Sequence, residues 1–278
     1  MVIRNQKGQV LVIVLLSMSV VLTLVLYILS RSVTDIAVSS RGEEAIRAFS
    51  AAEAGIERAL VIGSSPGTFE NASFNAVVSG FSEGTNTFNY PFNLASGDSA
   101  TLWFMNHDAS GNLICDGSHA CFSGNSLKVC WGKPGTAVSS PETPAIEAST
   151  FYNNGTLKIG RVAFDPKPAR GNNFNSPDTT NGTCIIGDKS YQFGKTFGIP
   201  SLPDGGLKFA RVKMFYNTTE NHEIGFQVAG DTLPSQGSLI SSTGSSGEAN
   251  RKLEVFQSWS EAPMIFDNAV FSSVGLVK

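Results

Sequence analysis

Charge is what this sequence is short of. Asp, Glu, Lys and Arg make up 15% of the 278 residues, where an ordinary soluble domain carries about 25%. The net charge of −3 provides neither a basic face nor an acidic tail, so no nucleic-acid partner is expected. Proline is absent before Pro66, which leaves the N-terminal stretch free to form one uninterrupted helix. The three histidines, His107, His119 and His222, do not cluster.

Recognisable catalytic patterns are also missing. Cys115, His119 and Cys121 are near one another, but their spacing is not that of a zinc site. Asn106-x-Asp108-x-Ser110-Gly111 has the start of a calcium loop, yet Gly117 stands where the closing glutamate belongs, so a hairpin turn is expected. Gly194-Lys195-Thr196 ends like a P-loop, but Lys189 replaces the required earlier glycine. There is no Gly-x-Ser-x-Gly nucleophile elbow. No catalytic residue, metal or cofactor is assigned, and the chain is not expected to be an enzyme.

What the sequence does have begins at Val10. From Val10 to Leu29 no charge, proline or glycine occurs. About 20 apolar residues at ~1.5 Å each cover a ~30 Å hydrocarbon core. Arg4 and Lys7 precede the run without an acidic neighbour, which orients the N-terminus to the cytoplasm and everything after about residue 30 outside. A buried core helix would give a similar run, and Ala37-Val38-Ser39 offers a small-x-small cleavage site. The run exceeds a signal peptide's usual apolar length, and that triplet lies well beyond it.

The helical pattern continues past the run. Ile36, Ile46, Phe49, Ala52, Ile56 and Ala59/Leu60 recur at mostly three- and four-residue steps, while Arg41, Glu43, Glu44, Arg47, Glu53, Glu57 and Arg58 fill the other face. Glu43 and Arg47 are set for an i,i+4 ion pair. Gly63-Ser64-Ser65-Pro66-Gly67 supplies the stop. The expected element is one nearly continuous helix on the order of 80 Å long.

Two motifs on this helix carry a family resemblance. Residues 6–13 read QKGQVLVI and residues 48–60 read AFSAAEAGIERAL. The pairing resembles the N-terminal region of the type IV pilin superfamily, in particular the PilX-like minor pilins, over residues 1–62. The resemblance implies a prepilin-type leader at 1–8, cut by a prepilin peptidase after Gly8, with Gln9 becoming the first, methylated residue. It implies a transmembrane and assembly helix at 9–62, with Val10, Leu11, Leu15, Leu22, Leu26, Phe49 and Ile56 serving lipid first and other pilin subunits later. The chain would start in the bacterial cytoplasmic membrane as a single-pass protein and be drawn by the pilus assembly machinery into an extracellular filament. At Ile13 it departs from the family, most of whose members carry glutamate as the fifth mature residue. That departure implies a subunit that caps or initiates a fibre, since an unmatched charge in an apolar core is costly. The alternative is a membrane-anchored adhesin or glycan-binding module that never enters a filament.

Residues 63–278 read as a β-rich extracellular head, giving an α+β fold overall. Thr101–Met105 and Asn112–Cys115 suggest a hairpin around Asp108–Gly111. Further strands are expected at Leu127–Trp131, Leu157–Phe164, Leu207–Tyr216, Ile224–Val228, Lys252–Gln257 and Met264–Ser272. The Pro/Asn-rich stretch Asp165–Asp178 reads as an exposed loop or a seam between sheets. Cys115, Cys121, Cys130 and Cys184 all fall in this exported part and suggest two disulfides, with three connectivities open. Sequons begin at Asn71, Asn154, Asn181 and Asn217.

Overall fold

A computed structural model describes residues 7–203 and 205–261. Helix α1 (Lys7–Ile62) comes first. It is followed by β1 (Ser65–Phe69), β2 (Ala72–Gly80), β3 (Thr87–Asn89), β4 (Ser99–Trp103), β5 (Asn106–His107) and β6 (Leu113–Ile114). Next are β7 (Ser126–Trp131), β8 (Ala145–Asn153), β9 (Leu157–Phe164), β10 (Cys184–Ile186), β11 (Lys189–Tyr191) and β12 (Phe193–Gly198). The last strands are β13 (Leu207–Phe215), β14 (Ile224–Ala229), β15 (Gly237–Ser246) and β16 (Ala249–Ser258). The fold is α+β, a long apolar N-terminal helix followed by a β-rich head.

The chain divides into two compact units. The first takes residues up to Val78 together with Ile240–Val255, and the second takes Ser79–Leu239 with the residues from Phe256 on. In the first unit α1 meets a sheet of order β1-β2-β15-β16. The 56 residues of α1 extend for about 84 Å at ~1.5 Å per residue. The helix stops as the sequence predicts. Gly63 takes φ +81° and donates its N–H to the Ala59 carbonyl at 2.9 Å, a left-handed cap that a side chain would strain.

The second unit is a sandwich of two antiparallel four-stranded sheets, β12-β7-β14-β3 and β4-β13-β8-β9. Alternation builds its core. Leu127, Val129 and Trp131 of β7 stand opposite Val228, Phe226 and Ile224 of β14. They share one buried cluster with Leu102 of β4, Val212 and Met214 of β13, and Ile146 and Ala148 of β8. Each such large side chain is worth about 1.5–3 kcal/mol on burial. Trp131 keeps its polar atom satisfied by donating Nε1–H to the Pro144 carbonyl at 2.9 Å.

Both disulfides form, as Cys115–Cys121 and Cys130–Cys184, with Cα atoms 5.7 and 5.8 Å apart. The second ties the small β10–β11 hairpin to β7, and Tyr191 of that hairpin donates its hydroxyl to Asn89 Oδ1 at 2.8 Å. Burial pushes the Tyr191 phenol well above its ordinary pKa.

Two sequence expectations need correction, and a third resolves between its alternatives. The predicted hairpin has shorter arms, pairing Asn106 with Ile114 and His107 with Leu113. Thr101–Trp103 belongs to β4 instead and pairs with β13, because Ala100 and Leu102 are drawn into the core. Asp165–Asp178 follows the second of its two expected readings, a seam, since it meets β9 at Asn175 and β12 at Asp178, whose amide donates to the Gly194 carbonyl. Asp165 is 2% exposed, paired with Arg170 at 2.8 Å and accepting from Asn172 at 2.7 Å, while Phe164 bridges Asn175. Finally, only part of the expected helix stripe is buried, namely Ala52, Ile56 and Ala59. The expected strand Met264–Ser272 lies outside the described residues.

Candidate assembly surface on the N-terminal helix

From Val10 to Leu29 every residue of α1 is exposed, including Val10, Leu11, Leu15, Leu22 and Leu26. The helix is long and apolar enough to cross a membrane, consistent with single-pass anchoring. Its polar interruptions are satisfied internally. Ser17, Ser19 and Thr23 donate their hydroxyls to the carbonyls of Val14, Leu16 and Val20 at 2.8–2.9 Å. These three hydroxyls therefore need neither water nor a partner helix, which suits both lipid and a packed bundle.

The following turns, Ser30 to Glu43, are also exposed all round, with Val33, Ile36 and Val38 each about two-thirds exposed. Only from Glu44 on does α1 gain a buried side. That side is made of small residues: Ala48, Ala51, Ala52, Gly55 and Ala59, with Ile56 at its flank. Gly55 sits against Ser242 and Phe74, and Gly244 of β15 sits on the backbone of Ala48 and Ala52. A Cβ on Gly244 would overlap the Ala48 carbonyl oxygen, so helix and strand approach at backbone distance.

This is the correction to the sequence stripe. Of the residues placed on it, Ala52, Ile56 and Ala59 face the sheet, whereas Ile36, Ile46, Phe49 and Leu60 are exposed. At about 100° per residue the small-residue face and the large-residue face lie side by side around one helix, and apolarity alone does not distinguish them. Glu43 and Arg47 form the expected ion pair on the exposed side. Gly8 and Gln9 lie in the first turns of α1, which begins at Lys7.

Elsewhere the polar groups are engaged structurally. Asp108 accepts from the amides of Ser110 and Asn112 at 2.8 and 2.9 Å and from Asn112 Nδ2, and these bonds hold its carboxyl below the usual range. Lys195, from the P-loop-like triplet, lies in β12 and pairs with Asp178 at 2.6 Å. His119 bonds Asp116 at 2.9 Å, and His222 Nδ1 meets the amide of Lys133 at 3.2 Å. Among the described residues no three His, Cys, Asp or Glu gather as a metal site. Asn71, Asn154 and Asn181 are exposed, but Asn217 is buried with its amide bonded to the carbonyls of Leu94 and Glu220.

Sequence reasoning missed two elements of the site, the Ala/Gly face and its partner strand β15. The spacing of Ala48, Ala52, Gly55 and Ala59 is helical and could have signalled close packing. Comparison with protein families, with curated proteins and with solved structures finds no match.

Proposed function

We propose that this chain is a minor subunit of a type IV pilus-like or type II secretion-like filament, inserted in the membrane through Val10–Leu29, cut after Gly8 and assembled through α1. The observation that carries this reading is the division of labour around the helix. The base of α1 gives its own sheet a mainly Ala/Gly face flanked by Ile56. Large apolar side chains, from Val10 through Phe49 to Leu60, stay outward along the remaining length. An anchor alone would need only the first ~20 residues to be apolar. The exposed apolar residues between Val33 and Leu60 gain a purpose if neighbouring helices cover them once the subunit leaves the lipid.

In this reading a prepilin peptidase produces a chain that starts at Gln9. Other pilin subunits pack on the outward face of α1, and the disulfide-tied head is displayed outside. Ile13 supplies no carboxylate to neutralise a neighbour's N-terminal ammonium, which favours a position at the tip or at initiation. Mass spectrometry of the intact N-terminus, on protein from sheared surface material, tests the proposal. A chain starting at Gln9 supports it. A chain retaining Met1, or one starting after Ser39, reduces the helix to an anchor or a signal and leaves a surface-bound adhesin.

A further inference from the structure

We propose that Asn154 is a site of spontaneous deamidation, and that Asn181, in the same tripeptide, is protected from it by the fold. Asn154-Gly155-Thr156 and Asn181-Gly182-Thr183 are the only Asn-Gly pairs in the sequence. In such a pair the glycine amide nitrogen, after losing its proton to hydroxide, attacks the asparagine side-chain carbonyl carbon. A new C–N bond closes a five-membered succinimide, and the C–NH2 bond breaks with release of ammonia. Water then opens the ring at either carbonyl, leaving aspartate or isoaspartate, and nothing is oxidised or reduced. Glycine favours the attack because no Cβ shields its nitrogen.

The two sites share more than sequence. Gly155 and Gly182 both take φ +79°, and Asn154 and Asn181 are both exposed. They differ in hydrogen bonding. Asn154 tops the three-residue loop between β8 and β9, where Asn153 pairs with Leu157 and residues 153–156 are all exposed. Among the described residues nothing accepts a hydrogen bond from the Gly155 amide, and the Asn154 side chain has no partner. The Gly182 amide instead donates to the Gln192 carbonyl at 3.1 Å. Asn181 Oδ1 accepts from Thr183 Oγ1 at 2.7 Å, and the next residue, Cys184, is fixed by its disulfide. The nucleophile at residue 182 must give up a hydrogen bond before it can react, whereas that at 155 has none to lose.

The product at residue 154 adds one negative charge to a formal −3, at an exposed hairpin tip. Isoaspartate would also lengthen the main chain there. The test is peptide mapping by mass spectrometry, with isoaspartate detection, of folded unglycosylated protein held at mildly alkaline pH. Residue 154 should convert faster than residue 181 by on the order of tenfold, the rate equivalent of one hydrogen bond. In reduced chain unfolded in urea the two rates should converge, because the tripeptides are identical. Equal rates in the folded protein, or residue 181 reacting first, would overturn the proposal.

Discussion

The indole of Trp259 lies flat on the imidazole of His107, with ring centroids 4.4 Å apart and planes 11° from parallel. Trp103 meets the same imidazole edge-on at 4.6 Å, so the histidine is 6% exposed and its Nδ1 finds no partner among the described residues. Burial lowers its pKa to about 4, against a smaller opposing pull from Asp108. The unfolded chain takes up this proton below pH ~6.5 while the folded one does not until about pH 4. Stability should therefore fall as pH drops from 6.5 to 4 and level off below. The loss is at most about 3 kcal/mol, less whatever the flanking indoles return to an imidazolium. Urea melts across this range should show a shallower pH slope for His107→Phe than for the native chain. His222, also depressed by burial, should supply part of the remaining slope. An unchanged slope in the variant would show that His107 is not the group.

Ile56 and Phe49 are seven positions apart on α1 but serve different neighbours. Ile56 is 8% exposed, in a cluster with Ala76 and Ile240, whereas Phe49 is 41% exposed. Ile56→Asp should loosen the base of the helix by roughly 3 kcal/mol, as a buried unpaired charge does. Phe49→Asp should leave the thermal melt within about 0.5 kcal/mol of native and still remove the protein from surface filaments. Normal filament incorporation of the Phe49 variant would contradict the assembly role.

Gly244 is where β15 touches the backbone of α1. Gly244→Val should force helix and strand apart at a cost of about 2 kcal/mol. Local opening would then free the helix backbone at the exposed Arg47 and Arg58 for cleavage by trypsin more often. Cleavage at those arginines should accelerate while the sandwich stays protected. Equal digestion rates would mean the contact is not tight.

The two disulfides should contribute unequally. Closing the 54-residue separation between Cys130 and Cys184 constrains the unfolded chain by about 4 kcal/mol, and the six-residue Cys115–Cys121 loop by about 2 kcal/mol. Paired serine substitutions followed by denaturant melts measure both. The reverse ranking would point to native-state strain or structure in the unfolded chain.

Leu22 lies near the middle of the apolar run, where aspartate costs about 2.5–3.5 kcal/mol on insertion. Leu22→Asp should fail carbonate extraction as a membrane protein. Full membrane retention would show that Val10–Leu29 is not the span.

What could be read in advance follows the strength of the local pattern. The helix, its stop at Gly63, and strands such as Leu157–Phe164 carry their period on the surface of the sequence, and the structure has them at those bounds or nearly so. β15 reads GSLISSTGSS, which resembles a linker by composition. It is a strand because Ser242 and Gly244 are small enough to lie against α1, a tertiary reason that no local window contains. The same holds for β8, whose AIEASTFYN is settled by its partners on both sides. On the helix, period alone marked an apolar stripe, but residue size decided which part faced the sheet and which part faced out.

The strands that cover the base of α1 lie at the two ends of a long interval. Ala72–Val78 follow the helix at once, but Ile240 and Gly244 come only after the whole sandwich has been spelled out. In chain order, about 160 residues of the second unit lie between the alanine face of the helix and the strand residues Ile240 and Gly244 that cover it. Contacts of such long sequence separation close late and slowly. Completion of the head is thereby a precondition for a closed helix base, and a chain cut short before β15 would be left with the open apolar face that chaperones and proteases recognise.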